Sequence, residues 1–174
     1  MTLQPVSWVA AEPVVLERES RLMSAVAPSL EWLSDSPSGG WRGLLPLWPF
    51  ARPEPPGLAA FLGGRQFEVL VVYLESFPMA EPRIYPLDPV PDLAHRSLHS
   101  WHLNGDGSLC LLRQASDWDG TGSASEMVVK ASAWFLEYIL LEREIRTAMT
   151  ESGIASSDEL DHLFHSSDAA GPDS

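Results

Sequence analysis

The 174-residue sequence contains one cysteine, few basic residues and no long apolar run. A single cysteine excludes an internal disulfide, so Cys110 is either a small buried hydrophobe or a reactive thiol. No apolar run approaches the roughly 18 residues that a membrane helix needs, which predicts no membrane partner. Residues 1–13 lack a basic segment followed by an apolar core, which predicts a cytoplasmic protein without a secretory signal.

The charge is strongly acidic, with 24 acidic and 11 basic residues and a formal net charge of −13. The basic residues are scattered and form no stripe, whereas nucleic-acid binding depends on clustered Lys and Arg. We therefore expect no nucleic-acid partner. The length and the 45% apolar content fit one domain with its own core.

Two helices are predicted from apolar spacing. The first covers residues 13–33, where Pro28 must kink or split it. The second begins at Ser123, because Ser123 and Glu126 form a capping-box pattern. Its apolar face comprises Val128, Ala131, Trp134 or Phe135, Tyr138 and Leu141, while the other faces carry Glu126, Lys130 and Glu137.

Three extended segments lie between these helices. Residues 67–74 are dense in β-branched and aromatic residues and predict a central strand. Residues 41–50 predict a strand that Pro46 and Pro49 confine to an edge or a short length. Five prolines between residues 77 and 91 allow only a short extended piece at 83–85. These elements indicate an irregular α+β domain.

The chain divides into three parts on composition. Residues 1–12 form an N-terminal extension and 13–150 the folded domain, including a coil at 92–122 that is rich in Gly, His and Trp. Residues 151–174 turn to Ser, Asp, Ala and Gly, which predicts an acidic and largely disordered tail. Within it, Leu160, Leu163 and Phe164 predict one short amphipathic turn.

The coil holds the residues with the clearest chemical potential. Asn104-Gly105 and Asp106-Gly107 are turn dipeptides, so the chain bends sharply just before Cys110. Such a turn exposes the thiol and leaves nearby backbone amides free to lower its pKa or to hold an oxyanion. His102 is close enough in sequence to return towards the sulfur across the turn.

Simpler interpretations exist for each of these residues. Cys110 is flanked by leucines and fits a buried core position equally well. His102 alone is more often a surface or hydrogen-bonded histidine. His95, His99 and His102 also suggest a metal site, but a zinc site is disfavoured because no second cysteine or paired ligand motif is present.

Four features in order resemble the ubiquitin-conjugating enzymes over residues 13–146. The segment Phe77-Pro-Met-Ala-Glu-Pro82-Arg-Ile84 is similar to the family's Tyr-Pro-x-x-Pro-Pro-x-Val. The segment Asn104-Gly-Asp-Gly107-Ser-Leu-Cys110-Leu is similar to its Asn-Gly-x-Ile/Val-Cys-Leu active-site motif. Trp118 lies eight residues after the cysteine, as in many members, and the helix from Ser123 has the place of the post-catalytic helix.

The resemblance implies a fold and a reaction. The fold has an N-terminal helix, a short antiparallel meander, an active-site coil and a C-terminal helix packed on the sheet. Cys110 would carry an acyl group as a thioester and transfer it to a protein amine, without a cofactor on this chain, because the adenylating activating enzyme uses the ATP. The groove for the acyl tail would be shaped by Asn104, Gly107 and Trp118.

One departure concerns the family's His-Pro-Asn motif, which aligns with Ser100-Trp101-His102. His102 thus replaces the oxyanion-stabilising asparagine, although a histidine can donate a hydrogen bond or act as a base. This resembles divergent bacterial members from antiphage operons, where the acyl donor is a ubiquitin-like protein or a cyclic-oligonucleotide synthase. The alternatives are a catalytically inactive binding module on the same fold and, less favoured, a Cys-His hydrolase.

Overall fold

A four-stranded antiparallel sheet with helices at both ends of the chain forms the framework of the computed structural model, which describes residues 6–164. The strands pair in chain order as a meander: β1 (Leu30–Trp32), β2 (Gly40–Leu44), β3 (Glu68–Val72) and β4 (Arg83–Asp88). The helices are α1 (Trp8–Ala11), α2 (Pro13–Val26), α3 (Leu58–Leu62) and α4 (Ala124–Glu142). The predicted α+β class is confirmed.

Prolines decide where several elements end. Helix α2 stops at Val26, and beyond Pro28 the chain enters β1 rather than a second helical piece, since proline supplies no backbone donor. Strand β2 ends at Leu44, before Pro46, and is shorter than predicted. Strand β4 is longer than predicted because it is an edge strand paired only with β3, where Pro86 is tolerated.

Helix α4 is the central element of the core and is buried on nearly every face. The Phe135 ring stacks on that of Phe67 at 4.6 Å, next to β3. The predicted capping box is wrong, because the Ser123 side chain makes no cap hydrogen bond. Instead the buried Glu19 carboxylate of α2 accepts the Ala124 amide at 2.8 Å.

Both ends of the described chain pack on this core. In the predicted N-terminal extension, Trp8 is buried and its indole donates to the Ser38 carbonyl at 2.7 Å. Residues 151–164 differ from the predicted disordered tail, because Ile154, Leu160 and Phe164 are buried. The short turn predicted there is observed as the 3₁₀ helix Asp161–Phe164. Residues 165–174 of the predicted tail lie outside the described part.

Arg52 holds residues 151–164 in place. Its guanidinium donates to both Asp161 carboxylate oxygens, from Nε at 2.7 Å and from a terminal nitrogen at 2.9 Å. The same group donates to the carbonyls of Ile154 at 2.7 Å and Ser157 at 2.9 Å. A bidentate pair of this kind is stronger and more directional than a lysine contact.

Substitution of Arg52 by alanine should therefore destabilise the fold through this segment. We expect the unfolding free energy in urea to fall by about 2 kcal/mol, the scale of hydrogen bonds to charged groups. The control is Arg65→Ala, which breaks a more exposed pair with Glu142 and should lower the free energy by less than about 1 kcal/mol. Equal losses of unfolding free energy in the two variants would show that Arg52 stabilises the fold no more than an exposed ion pair does.

Candidate active site

Cys110 ends a tight hairpin that begins at His102. Leu103 and Leu109 form an isolated antiparallel bridge, and the Cys110 amide donates to the His102 carbonyl at 2.8 Å. Between them the Gly107 amide donates to the Asn104 carbonyl at 3.0 Å and closes the turn. The hairpin therefore brings the cysteine and the histidine, eight positions apart, directly opposite each other.

Asp106 fastens this hairpin to the sheet. One carboxylate oxygen accepts the Ser108 amide at 2.9 Å and the Ser108 hydroxyl at 2.6 Å. The other accepts the Tyr85 hydroxyl at 3.2 Å and an Arg83 nitrogen at 3.3 Å, both from β4. The Ser108 hydroxyl and then its amide lower the pKa of Asp106, so the carboxylate stays ionised and the turn stays closed near neutral pH.

Asn104 and Gly107 shape the turn rather than the cleft around the thiol. The Asn104 amide nitrogen donates to the Ser108 hydroxyl at 3.0 Å and to the Leu109 carbonyl at 3.3 Å. Gly107 has a φ of +87°, and an added Cβ would lie 2.9 Å from the Arg96 guanidinium. Neither residue lines the cleft that contains Cys110.

Of the backbone amides near the thiol, those of residues 107–110 donate hydrogen bonds, so the turn leaves fewer amides free than expected. The Gly107 and Cys110 amides are bonded within the hairpin, Ser108 donates to Asp106, and Leu109 donates to the Ile84 carbonyl. Within residues 6–164, the amides of Leu111 and Leu112 donate no hydrogen bond. The unbonded backbone amides adjacent to Cys110 therefore follow the sulfur in sequence.

Cys110 opens into a cleft of about 620 Å³, and its side chain is exposed rather than part of the core. His102 and His99 line the same cleft on the side of the coil. One face of α4 also lines the cleft, with Lys130, Ala133, Trp134 and Glu137. A cleft of this volume and mixed polarity can accept an extended peptide tail as well as an incoming side chain.

His102 is half-buried in this cleft and has a left-handed backbone conformation, with φ of +46°. Burial lowers the pKa of His102 below the ordinary 6.5, His99 lowers it further, and Glu151 opposes both effects. The imidazole is therefore neutral near pH 7, which is the form that accepts a proton. In residues 6–164, no carboxylate or carbonyl accepts a hydrogen bond from the His102 ring.

The segment after α4 forms the remaining wall of the cleft. The Glu137 carboxylate accepts the Thr150 amide at 2.6 Å and the Thr150 hydroxyl at 2.8 Å. The Met149 amide donates to the Ser100 carbonyl at 3.1 Å, which joins this wall to the coil. Burial raises the pKa of Glu137, and its bonds with Thr150 oppose that effect. Glu137 is thus buried under the segment rather than on a solvated helix face.

Trp118 lies beside the main cleft rather than in it. Its indole donates to the Pro78 carbonyl at 2.8 Å, and its ring lies 6.3 Å from that of Phe77. It lines a smaller cavity of about 250 Å³ that shares Leu112, Asp117 and Lys130 with the main cleft. The predicted contribution of Trp118 to the groove is therefore limited to this adjoining cavity.

Sequence reasoning missed several residues of the cleft. Lys130, Glu137 and Glu151 were assigned to solvated surfaces or to the tail. Lys130 could have been singled out from the sequence, because it is the only lysine among 174 residues. The contact between Glu137 and Thr150 has no comparable signature, because it depends on the reversal of the chain after α4.

The histidines do not assemble into a metal centre. The His95 ring stacks on that of Trp101 at 3.7 Å, and the His99 ring lies 5.4 Å from that of His102. Over residues 6–164, no group of three His, Cys, Asp or Glu side chains is placed to hold a metal ion. In the same range, no helix has the length and apolar character needed to cross a membrane.

Comparison with known proteins gives no family assignment. No protein-family model matches this sequence, and no curated protein matches it.

Proposed function

We propose that the chain is a conjugating protein similar to the ubiquitin-conjugating enzymes, with Cys110 as the residue that carries an acyl group as a thioester. The observation that carries the proposal is the exposed thiol at the end of the hairpin, in a cleft that also contains His102. The order of elements, with a meander before the cysteine and α4 after it, supports the same family resemblance.

The reaction has two acyl transfers. The Cys110 thiolate attacks the thioester carbonyl of a donor loaded on its activating enzyme, a new C–S bond forms, the old C–S bond breaks, and the cysteine of the activating enzyme leaves as a thiolate. An amine then attacks the Cys110 thioester, the C–N bond forms, and Cys110 leaves as a thiolate. Cysteine suits both steps because its thiolate is nucleophilic and its thioester remains reactive to amines.

His102 is assigned to the second step. A neutral imidazole in the cleft can take the proton that the attacking amine must lose. The free amides of Leu111 and Leu112 complement it as donors to the oxyanion of the tetrahedral intermediate. If the backbone amides bind the oxyanion and His102 acts as the base, no asparagine is needed at the position where the family has one.

The small number of lysines supports the proposal that this chain carries a reactive thioester. The chain has one lysine, whereas its other ten basic residues are arginines. A guanidinium stays protonated at physiological pH and cannot attack a thioester, while a lysine amine can. A chain depleted of lysine exposes its own thioester to few competing nucleophiles.

The partners follow from the resemblance alone. They are an adenylating activating enzyme, an acyl donor that is a ubiquitin-like protein or a cyclic-oligonucleotide synthase, and a protein amine as acceptor. The setting that such relatives suggest is bacterial antiphage defence in the cytoplasm.

A Cys-His hydrolase is less well supported than an acyl carrier. Such hydrolases orient the histidine through a third residue, and in the part of the chain that the structure describes no side chain is hydrogen-bonded to the His102 ring. An inactive binding module on the same fold would not require an exposed thiol in a cleft. The experiment below separates it from the acyl carrier.

The test is adduct formation with the activating enzyme, the acyl donor and ATP. The wild-type chain should form an adduct that a reductant removes, because a thioester exchanges with thiols. Cys110→Ser should give a reductant-stable oxyester, and Cys110→Ala should give no adduct. The readout is a denaturing gel with and without reductant.

His102→Ala is the matched control, because it alters the same cleft but leaves the nucleophile intact. It should still form the reductant-sensitive adduct. An adduct of unchanged yield on Cys110→Ala would contradict the assignment of the nucleophile.

A further inference from the structure

Lys130, the only lysine of the chain, lines the same cleft as Cys110. We propose that Lys130 is a self-modification site, to which the acyl group carried on Cys110 is transferred as a stable amide. The inference rests on the proposed function, because it needs an acyl group on Cys110. It adds an acceptor within the chain itself, with the carboxyl terminus of the donor as the group attached.

The helical spacing of α4 directs Lys130 towards the cleft. Lys130, Ala133, Trp134 and Glu137 occupy positions i, i+3, i+4 and i+7, which lie on one face of a helix. All four line the cleft that also contains Cys110. Lys130 stands at the end of this face that adjoins the smaller cavity, and its flexible four-carbon stem lets the amine turn into either space.

The Lys130 amine is available for reaction. The residue is exposed, and no hydrogen bond or ion pair engages its side chain in the part of the chain that the structure describes. Asp117, which lines the cleft and the smaller cavity together with Lys130, uses one carboxylate oxygen to accept the amides of Arg113 and Gln114, each at 3.2 Å. Arg113, the other cation of the cleft, donates to the Glu151 carbonyl at 3.3 Å.

The transfer balances without a further reactant. The neutral Lys130 amine attacks the thioester carbonyl, a C–N bond forms and the C–S bond breaks. Cys110 leaves as a thiolate, and the proton lost by the nitrogen passes through His102 or water to that sulfur. The product is an amide on Lys130 and a free thiol on Cys110. An amide does not exchange with thiols, so the modification survives a reductant that removes the thioester.

The experiment loads Cys110 chemically, without an activating enzyme. The probe is the mercaptoethanesulfonate thioester of a fluorescein-labelled peptide that ends in Gly-Gly, and excess probe is removed before incubation. The wild-type chain should convert the reductant-sensitive label into a reductant-resistant one that maps to the peptide containing Lys130. Lys130→Arg should load equally but lose all of its label when reductant is added. Cys110→Ala measures direct acylation of lysine by the probe and should remain unlabelled.

A relocated lysine tests whether the cleft matters. In the double variant Lys130→Arg with Arg42→Lys, the amine lies on β2, outside the cleft. This variant should load and give no resistant label, and the wild-type conversion should be first order and independent of protein concentration.

Three results would overturn the inference. The reductant-resistant label could persist in Lys130→Arg, or it could reappear in the double variant with Arg42→Lys. The loaded wild-type chain could also fail to convert its reductant-sensitive label into a reductant-resistant one. These results leave the proposed function intact, because loading by an activating enzyme is measured separately.

Discussion

His102→Ala should form the Cys110 thioester normally but discharge it to a free amine about 10²-fold more slowly, the lower end of the range for general base catalysis. The slower discharge is expected from both the position of His102 and the charge state of its ring. His102 lines the cleft beside the thiol, and its lowered pKa keeps the ring neutral at pH 7. Single-turnover discharge of preloaded protein to an amine measures the second step alone.

A second substitution distinguishes the two roles that a histidine can have. His102→Asn places there the residue that the resembling family uses, which donates a hydrogen bond but accepts no proton at neutral pH. If His102 acts as a base, His102→Asn should be as slow as His102→Ala. Discharge by His102→Asn at the wild-type rate would instead assign His102 to the oxyanion. Normal discharge by both variants would show that the histidine only supports the coil.

The pH dependence gives an independent readout of the base. Because the pKa of His102 is lowered, the wild-type advantage over His102→Asn should be largest above that pKa and should decline as the pH falls through it. Taking the ratio of the two rates removes the protonation of the amine, which affects both proteins alike. His99→Ala removes a group that lowers this pKa, so the decline should begin at a higher pH.

Much of the framework was accessible to pattern reasoning because it depends on local signals. The apolar density at 67–74 and the helical spacing after Ser123 placed the central strand and the main helix. The turn dipeptides before Cys110 correctly indicated a sharp bend. The same reasoning failed for the cap of α4, because Glu19 is 105 positions from the amide that it accepts. A local capping pattern contains no information about an acceptor for the helix amide that another helix supplies.

The cleft was less predictable than the framework, for a related reason. Residues 151–164 are poor in apolar residues and resemble a solvated tail, yet Arg52 and Asp161 join across 109 positions and bring them onto the core. The wall of the cleft formed by the segment after α4 thus depends on contacts between distant polar residues. The motif could indicate the thiol and the turn, but not the bonded amides around them or the lysine in the same cleft.

Glu19→Ala should lower the free energy of unfolding by about 2–6 kcal/mol, because it leaves two buried donors unsatisfied at about 1–3 kcal/mol each. Glu19 is 1% exposed, and one of its oxygens accepts both the Tyr73 hydroxyl at 2.9 Å and the Ala124 amide at 2.8 Å. The other accepts an Arg18 nitrogen at 3.3 Å. The substitution therefore leaves a buried phenol and a helix amide without their acceptor and removes one of the acceptors of the Arg18 guanidinium.

The Tyr73 hydroxyl has no easy substitute for this acceptor. Burial, followed by the Glu19 carboxylate, raises the pKa of Tyr73, so the phenol stays protonated and must donate. Its second neighbour, the Trp41 indole, is itself a donor at 3.1 Å and cannot accept that proton. A buried donor that has no hydrogen-bond partner destabilises the fold by the full desolvation free energy of that group.

The matched control is Arg18→Ala, because the Arg18 side chain is 34% exposed and also reaches the Thr121 and Gly122 carbonyls at the surface. It should reduce stability by about 1 kcal/mol, as expected for a partly solvated pair. Urea unfolding of both variants with an unchanged m-value measures the difference. Equal losses would mean that the carboxylate stabilises the fold only through Arg18. A larger loss for Glu19→Ala would show that this carboxylate joins Tyr73, the residue after β3, to the start of α4, the helix that lines part of the cleft.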